Sequence, residues 1–92
     1  MTNGKPSIYS NTIYHNFGNG IYLKATDDYH CDGKIESNDI FENENGIIVD
    51  GVRCKGGIVN NYKIAHNRVA GIRVINCANI DIIRNDIFEN VA

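Results

Sequence analysis

The densest group of titratable side chains lies in one short segment, KATDDYHCDG, which runs from Lys24 to Gly33. Its candidate ligand-binding residues are Asp27, Asp28, Tyr29 and His30. Loops held by a rigid scaffold often carry function, so the segment is a candidate binding loop. Consecutive aspartates also occur in solvated turns, and that alternative stays open.

A second group of titratable residues recurs at long, regular spacing. His15, Glu42, His66 and Glu89 each precede an asparagine, at intervals of 27, 24 and 23 residues. If these segments stack, imidazole and carboxylate groups alternate in one column, and His15, Glu42 and His66 are candidate metal ligands. The alternative is an ion ladder that fixes strand register. Glu42 and Glu89 would lie roughly 9.6 Å apart, at or beyond the limit for an inverting glycosidase.

Aromatic residues recur at the neighbouring position. Tyr14, Phe41 and Phe88 would form a second column with Ala65. Such rings can stack on sugars, which makes Tyr14 and Phe41 candidate ligand-binding residues, or they can form a protein interface. The length of the apolar stripe favours the interface.

An internal repeat must position all these residues. The segment NDIFENENGIIV, from Asn38 to Val49, resembles NTIYHNFGNGIYL from Asn11, YKIAHNRVAGIRV from Tyr62 and NDIFEN from Asn85. Self-similarity at a period of 20 to 50 residues is typical of stacked repeats.

Three short apolar segments recur within each repeat. They contain Ile8, Ile35, Ile58 and Ile82; then Ile13, Ile40, Ile64 and Ile87; then Ile21 and Leu23, Ile47 and Val49, and Ile72 and Val74. Apolar residues alternate at period 2 within each segment, and Asn or Gly residues lie at its ends. This pattern predicts short strands. Each strand is expected to pair in parallel with its counterpart one repeat later, forming a parallel β-helix.

Asparagines and glycines lie at the ends of these predicted strands. Asn11, Asn38 and Asn85, together with Asn16, Asn43, Asn67 and Asn90, are expected at the corners. Asparagine tolerates the left-handed backbone conformation, and stacked asparagines can hydrogen-bond along the axis. Gly20, Gly46 and Gly71 are expected to open the third strand of each repeat because glycine is conformationally permissive.

The pattern IxxNxIxxN…GIxV resembles the right-handed parallel β-helix repeats of pectate lyases, polygalacturonases, alginate epimerases and phage tailspikes. The resemblance covers about residues 7 to 92 and implies an all-β, right-handed solenoid of about three and a half turns. We divide its single domain, 1–92, into a leader at 1–7, turns at 8–34, 35–57 and 58–81, and a partial turn at 82–92. Hydrolases of this kind use paired aspartates and lyases an aspartate cluster that holds calcium, which draws attention to Asp27 and Asp28. The RxK element of polygalacturonases is absent.

The amino-acid composition argues against two classes of partner. The net charge is −2 and the basic residues are not clustered, so neither nucleic acid nor an anionic membrane is an expected partner. No run of 18 apolar residues occurs, and residues 1–7 lack the apolar core of a signal peptide. The compartment is left open; the resemblance is compatible with an extracellular or periplasmic parent. Cys31, Cys54 and Cys77, spaced by 23 residues, are interpreted as small hydrophobic residues at one equivalent position.

The function expected first is a non-catalytic β-helix module that recognises carbohydrate or serves assembly. One alternative is a fragment of a polysaccharide lyase, hydrolase or epimerase whose active site is completed elsewhere, and another is a metal-binding solenoid. No cofactor is expected. The open ends of a short β-helix expose unpaired strands, so we expect a homo-oligomer formed through these ends or through the aromatic stripe.

Overall fold

A computed structural model describes residues 7–25, 31–51, 54–76 and 79–91. These ranges are all-β, and they contain no helix with the length and apolar character needed to cross a membrane. The strands are β1 (Ser7–Tyr9), β2 (Thr12–Tyr14), β3 (Ile21–Lys24), β4 (Cys31–Glu36), β5 (Asp39–Phe41), β6 (Asn45–Asp50), β7 (Cys54–Val59), β8 (Lys63–Ala65), β9 (Ala70–Ile75), β10 (Asn79–Ile83) and β11 (Ile87–Phe88).

The strands form three parallel sheets. The first sheet has the order β1-β4-β7-β10, the second β2-β5-β8-β11 and the third β3-β6-β9. Strands that are neighbours in a sheet are therefore one repeat apart in the chain. We call the successive sets β1 to β3, β4 to β6, β7 to β9, and β10 with β11 rungs. This arrangement is compatible with the predicted parallel β-helix.

The register confirms the predicted columns of apolar residues. In the first sheet Ile8 pairs with Ile35, Ile35 with Ile58, and Ile58 with Ile82. The second sheet aligns the isoleucines of β2, β5, β8 and β11, and the third aligns Ile21, Ile47 and Ile72. Because side chains alternate between the two faces of a strand, this register places all isoleucines of one column on the same face of their sheet.

The core lies between the three sheets. Its fully buried side chains come mainly from the middle rungs, namely Ile35, Ile40, Ile47, Val49, Ile58 and Ile64. Ile8, Ile13, Ile72 and Ile80 pack against this core while only partly buried. The apolar columns are thus best covered where a rung has a neighbour on both sides.

Two asparagine ladders run along the corners. The first ladder consists of Asn11, Asn38, Asn61 and Asn85; the second consists of Asn16, Asn43, Asn67 and Asn90. In each, the backbone N–H of one asparagine donates to the side-chain Oδ1 of the asparagine one rung later, over 3.0 to 3.3 Å. The prediction of stacked, hydrogen-bonded asparagines is confirmed.

The expected left-handed backbone lies one residue earlier than predicted. Positive φ values of 51° to 60° occur at the residue before each ladder asparagine, namely Ser10, Ser37, Asn60 and Arg84 at one corner and His15, Glu42, His66 and Glu89 at the other. The ladder asparagines themselves are not in this conformation. Hydrogen bonding explains why asparagine recurs at these positions, because its amide supplies the donors and acceptors that a tightly bent backbone lacks.

The cysteine column is described in part. Cys31 and Cys54 are paired in the register of β4 and β7, as their spacing predicts. Cys77 lies outside the described residues.

Candidate functional site

The alternating histidine and glutamate column forms two pairs. His15 Nε2 contacts Glu42 Oε2, and His66 Nε2 lies 3.2 Å from Glu89 Oε2. All four residues have positive φ, and their side chains are 47 to 69% exposed. Exposed ion pairs contribute little to stability, so the column is better suited to setting register or contacting a ligand.

The three candidate metal ligands do not share one contact. The structure brings His15 and Glu42 together, whereas His66 faces Glu89. In the described ranges, no three His, Cys, Asp or Glu side chains are grouped as a metal ion would need. The metal-site hypothesis gains no support and stays a prediction.

A groove lies beside this column at the second corner. We call it the corner groove; it is lined by His15, Asn16, Phe17, Glu42, His66 and Arg68. The Arg68 guanidinium donates to the backbone carbonyl oxygens of Asn16 and Phe17 at 2.9 Å, and more weakly to that of Glu42. Arg68 therefore connects three consecutive rungs. The Phe17 ring beside it is 96% exposed.

The aromatic column is packed along the axis of the stack. Tyr14 and Phe41 stack with centroids 5.0 Å apart and ring planes 6° apart. The Lys63 ammonium, one rung further on, lies 3.9 Å from the Phe41 centroid. Ala65 is fully buried although it is in the outward register of Phe41. The face of Phe41 is thus in contact with neighbouring side chains, which leaves ring edges, more than faces, for a sugar or a partner.

The candidate binding loop lies outside the described residues, which include none of Asp27, Asp28, Tyr29 and His30. Its function, and the enzyme alternative that depends on it, stay predictions.

A groove that sequence reasoning missed lies on the outer face of the first sheet. Its lining includes Gly57, which the register places between Lys34 and Asp81. Asp32 and Lys55 form the adjacent column. The missing side chain at this position leaves a depression. The groove has no net charge, because its two lysines and two aspartates balance. The sequence signal was Gly56-Gly57, which does not itself show which glycine faces outward.

One titratable group on the third sheet is perturbed. The Tyr22 hydroxyl donates a hydrogen bond to Asp50 Oδ2 at 3.2 Å across neighbouring strands. Partial burial, then this hydrogen bond and the negative charge of Asp50, raise the pKa of Tyr22 above its ordinary value. The contact is a cross-strand pair between β3 and β6.

Comparison with known proteins supplies no family. No protein-family model, no curated protein and no solved structure matches this chain. The internal repeat and the parallel strand register support the all-β, three-sheet arrangement.

Proposed function

We propose that this chain is a non-catalytic, right-handed parallel β-helix module of about three and a half turns that acts in assembly, through contacts made by the ends of its stack. The observation that carries the proposal is the exposure of inward-facing aliphatic side chains on the last rungs. The same columns are completely buried in the middle of the molecule.

Two residues of the last rung show this exposure. Ile82 and Ile87 are 46 and 45% exposed, although they face the interior in the register of their sheets. Their counterparts one rung earlier are at most 1% exposed. Complete burial of such a side chain stabilises by about 1.5 to 3 kcal/mol, so covering this face favours association.

The strand edges support the same proposal. In the described part of the chain, β1 and β10 are the edge strands of the first sheet, and β2 and β11 are those of the second. Lysine or proline on an edge strand discourages pairing with a further strand. Neither β1 nor β11 contains lysine or proline. These edges are therefore suited to accept a further strand.

Sedimentation velocity across a micromolar concentration series tests the proposal. We expect the wild-type chain to sediment faster as its concentration rises. The variant Ile82→Lys should remain monomeric, because a charged group then lies on the end face.

Ile83→Lys is the matched control. Ile83 is 45% exposed, almost the same as Ile82, but the register turns it to the outer surface. It should associate like the wild type. A folded wild-type chain that stays monomeric at every concentration contradicts the proposal.

Carbohydrate recognition is a second candidate, favoured by the corner groove. The fully presented Phe17 ring lies beside His15, Glu42 and Arg68, and an exposed aromatic face next to polar groups is suited to a sugar ring. Calorimetric titration with neutral and uronic-acid oligosaccharides tests this role. Binding should be lost in Phe17→Ala and retained in Tyr62→Ala, whose ring is exposed elsewhere. Absence of binding to the wild type contradicts it.

A further inference from the structure

The two asparagine ladders have a direction. At every step the backbone N–H belongs to the earlier rung and the accepting Oδ1 to the later rung. The side-chain amides add bonds of the same sense, such as Asn16 Nδ2 to Asn43 Oδ1 at 2.8 Å and Asn67 Nδ2 to Asn90 Oδ1 at 2.8 Å. The bonds that end on a ladder Oδ1 therefore all run from the earlier to the later rung. Bonds to backbone carbonyl oxygens run the other way, as from Asn38 Nδ2 to Ile8 O and from Asn90 Nδ2 to Ile64 O.

This direction makes the two ends of the stack chemically different. At the first rung, Oδ1 of Asn11 and of Asn16 has no donor among the described residues. At the last rung, the backbone N–H groups of Asn85 and Asn90 have no acceptor among them. We call the first end the head and the second the tail. At the same two corners, the head presents ladder Oδ1 acceptors and the tail presents ladder N–H donors.

We propose that copies of this chain stack head to tail, with the tail N–H groups of Asn85 and Asn90 donating to Oδ1 of Asn11 and Asn16 in the next copy. This inference rests on the proposed assembly function and specifies its partner surface. A tail facing a tail would bring no ladder Oδ1 to the N–H groups of Asn85 and Asn90, and a head facing a head would bring no ladder N–H to Oδ1 of Asn11 and Asn16. Unsatisfied groups of this kind disfavour both symmetric contacts.

The apolar columns continue across the same contact. β1 of the next copy lies on β10, and β2 lies on β11, which places Ile8 on Ile82 and Ile13 on Ile87 as in the register within one chain. Within the described ranges, the third sheet has three strands and each of the other two has four. The contact therefore runs along two sheets and leaves Val74 of β9 outside it. Because the two surfaces differ, the contact is heterologous, and repeated addition gives a linear stack.

A mixing experiment with one blocked end per chain tests this geometry. Ile8→Lys blocks the head and Ile82→Lys blocks the tail, at two ends of a single column. Lysine keeps an aliphatic stem on the core and brings its charge to the surface, which limits the cost to folding. Circular dichroism verifies that each variant is folded, and Ile13→Lys with Ile87→Lys is a second pair in the neighbouring sheet.

Head-to-tail stacking predicts that each variant alone sediments as a monomer. An equimolar mixture should form a 1:1 dimer, because the free tail of Ile8→Lys meets the free head of Ile82→Lys. Val74→Lys, on the tail but outside the contact, should assemble like the wild type.

The outcomes separate this inference from the function on which it rests. A monomeric wild-type chain overturns both. Wild-type assembly combined with self-association of either blocked variant, or with no complex in the mixture, overturns head-to-tail stacking alone. Asn11→Ala gives an independent check, because it removes one head acceptor and keeps the backbone N–H bonded to Asn38. It should weaken wild-type assembly, and unchanged assembly excludes the ladder from the contact.

Discussion

The two adjacent residues at each corner have different structural roles. The residue before each ladder asparagine takes the left-handed conformation, which costs a non-glycine residue about 1 to 3 kcal/mol. The asparagine that follows is turned inward, where its amide bridges two rungs. At Ser37 and Asn38 the two roles are clear, because Asn38 is completely buried and takes part in bonds to both neighbouring rungs.

Asn38→Ala should lower the free energy of unfolding by about 1 to 3 kcal/mol, because the Asn11 N–H loses its acceptor and a buried amide is deleted. Ser37→Gly is the neighbouring control. It should change stability by less than about 1 kcal/mol, since glycine adopts positive φ readily but makes the unfolded chain more flexible. Urea denaturation measures both. Equal losses in the two variants would contradict the division of roles.

The raised pKa of Tyr22 predicts how the free energy of unfolding changes at high pH. Its pKa is raised in the folded state, so the folded chain holds this proton more tightly than the unfolded chain does. The resulting contribution is present below the unfolded pKa of about 10 and is lost as pH rises through the folded value. Above about pH 10, the unfolding free energy of the wild type should therefore fall more steeply than that of Tyr22→Phe.

Asp50→Asn refines this measurement. It removes the carboxylate that accepts the Tyr22 hydrogen bond and supplies the negative charge. Its slope should lie between those of the wild type and Tyr22→Phe, because partial burial of the tyrosine remains. Identical slopes for all three proteins would show that the Tyr22–Asp50 pair does not contribute.

At the scale of the element, glycines in the third sheet are needed for space. A Cβ at Gly20 would lie 2.7 Å from the Gly46 carbonyl oxygen, and one at Gly46 would lie 2.5 Å from that of Gly71. A Cβ at Gly71 would lie 2.7 Å from Asn90 Nδ2. The expected reason, conformational freedom, is wrong here, because none of the three has positive φ. Close approach of successive rungs explains these glycines.

Gly46→Ala should therefore destabilise the chain by about 2 kcal/mol or more, since the contact is with backbone that cannot move alone. Gly18→Ala is the control, because a Cβ there meets nothing within 4 Å. It should be neutral or stabilising by up to about 1 kcal/mol. Thermal and urea unfolding compare the two variants, and a well-tolerated alanine at position 46 would contradict the close packing.

The isoleucine columns and the asparagine ladder differ in how far the sequence predicts them. The isoleucine columns were predictable, because period-2 alternation within a repeat determines both face and register. Asn61 was missed because alignment on Ile64 places Tyr62 where an asparagine is expected. The structure accommodates one extra residue: the N–H groups of Tyr62 and Lys63 both point to the Asn38 carbonyl oxygen, at 3.0 and 3.3 Å. Tyr62 is left 66% exposed, and Asn61 completes the ladder.

The candidate site was less predictable for a related reason. The repeat placed His15, Glu42, His66 and Glu89 in one column, but it did not show that they pair two by two. That choice depends on the direction of each side chain along the axis, which residue spacing does not encode. The left-handed corners were hidden for another reason: asparagine and histidine are enriched at positive φ, but the serine, glutamate and arginine residues at the other corners are not.

For the whole molecule, the stack predicts unequal local stability. Each rung contacts only its neighbours, so strands paired on both sides open less readily than strands paired on one side. β4, β5, β6, β7 and β8 have partners on both sides, whereas β1, β2, β3, β9, β10 and β11 are edges in the described sheets. Backbone amides of the first group should exchange with deuterium more slowly than those of the second.

Concentration should change this exchange pattern selectively. When copies stack head to tail, β1, β2, β10 and β11 gain partners and their amides should become protected, whereas the edge of β9 should keep exchanging quickly. Hydrogen–deuterium exchange measured at low and high protein concentration tests the pattern, with Ile82→Lys at high concentration as the control that retains unprotected edges. Protection that rises equally in β9 would mean that the third sheet also joins the contact. Protection that rises only in β10 and β11 would mean that two tails meet, because head-to-tail contact must protect one head strand for every tail strand.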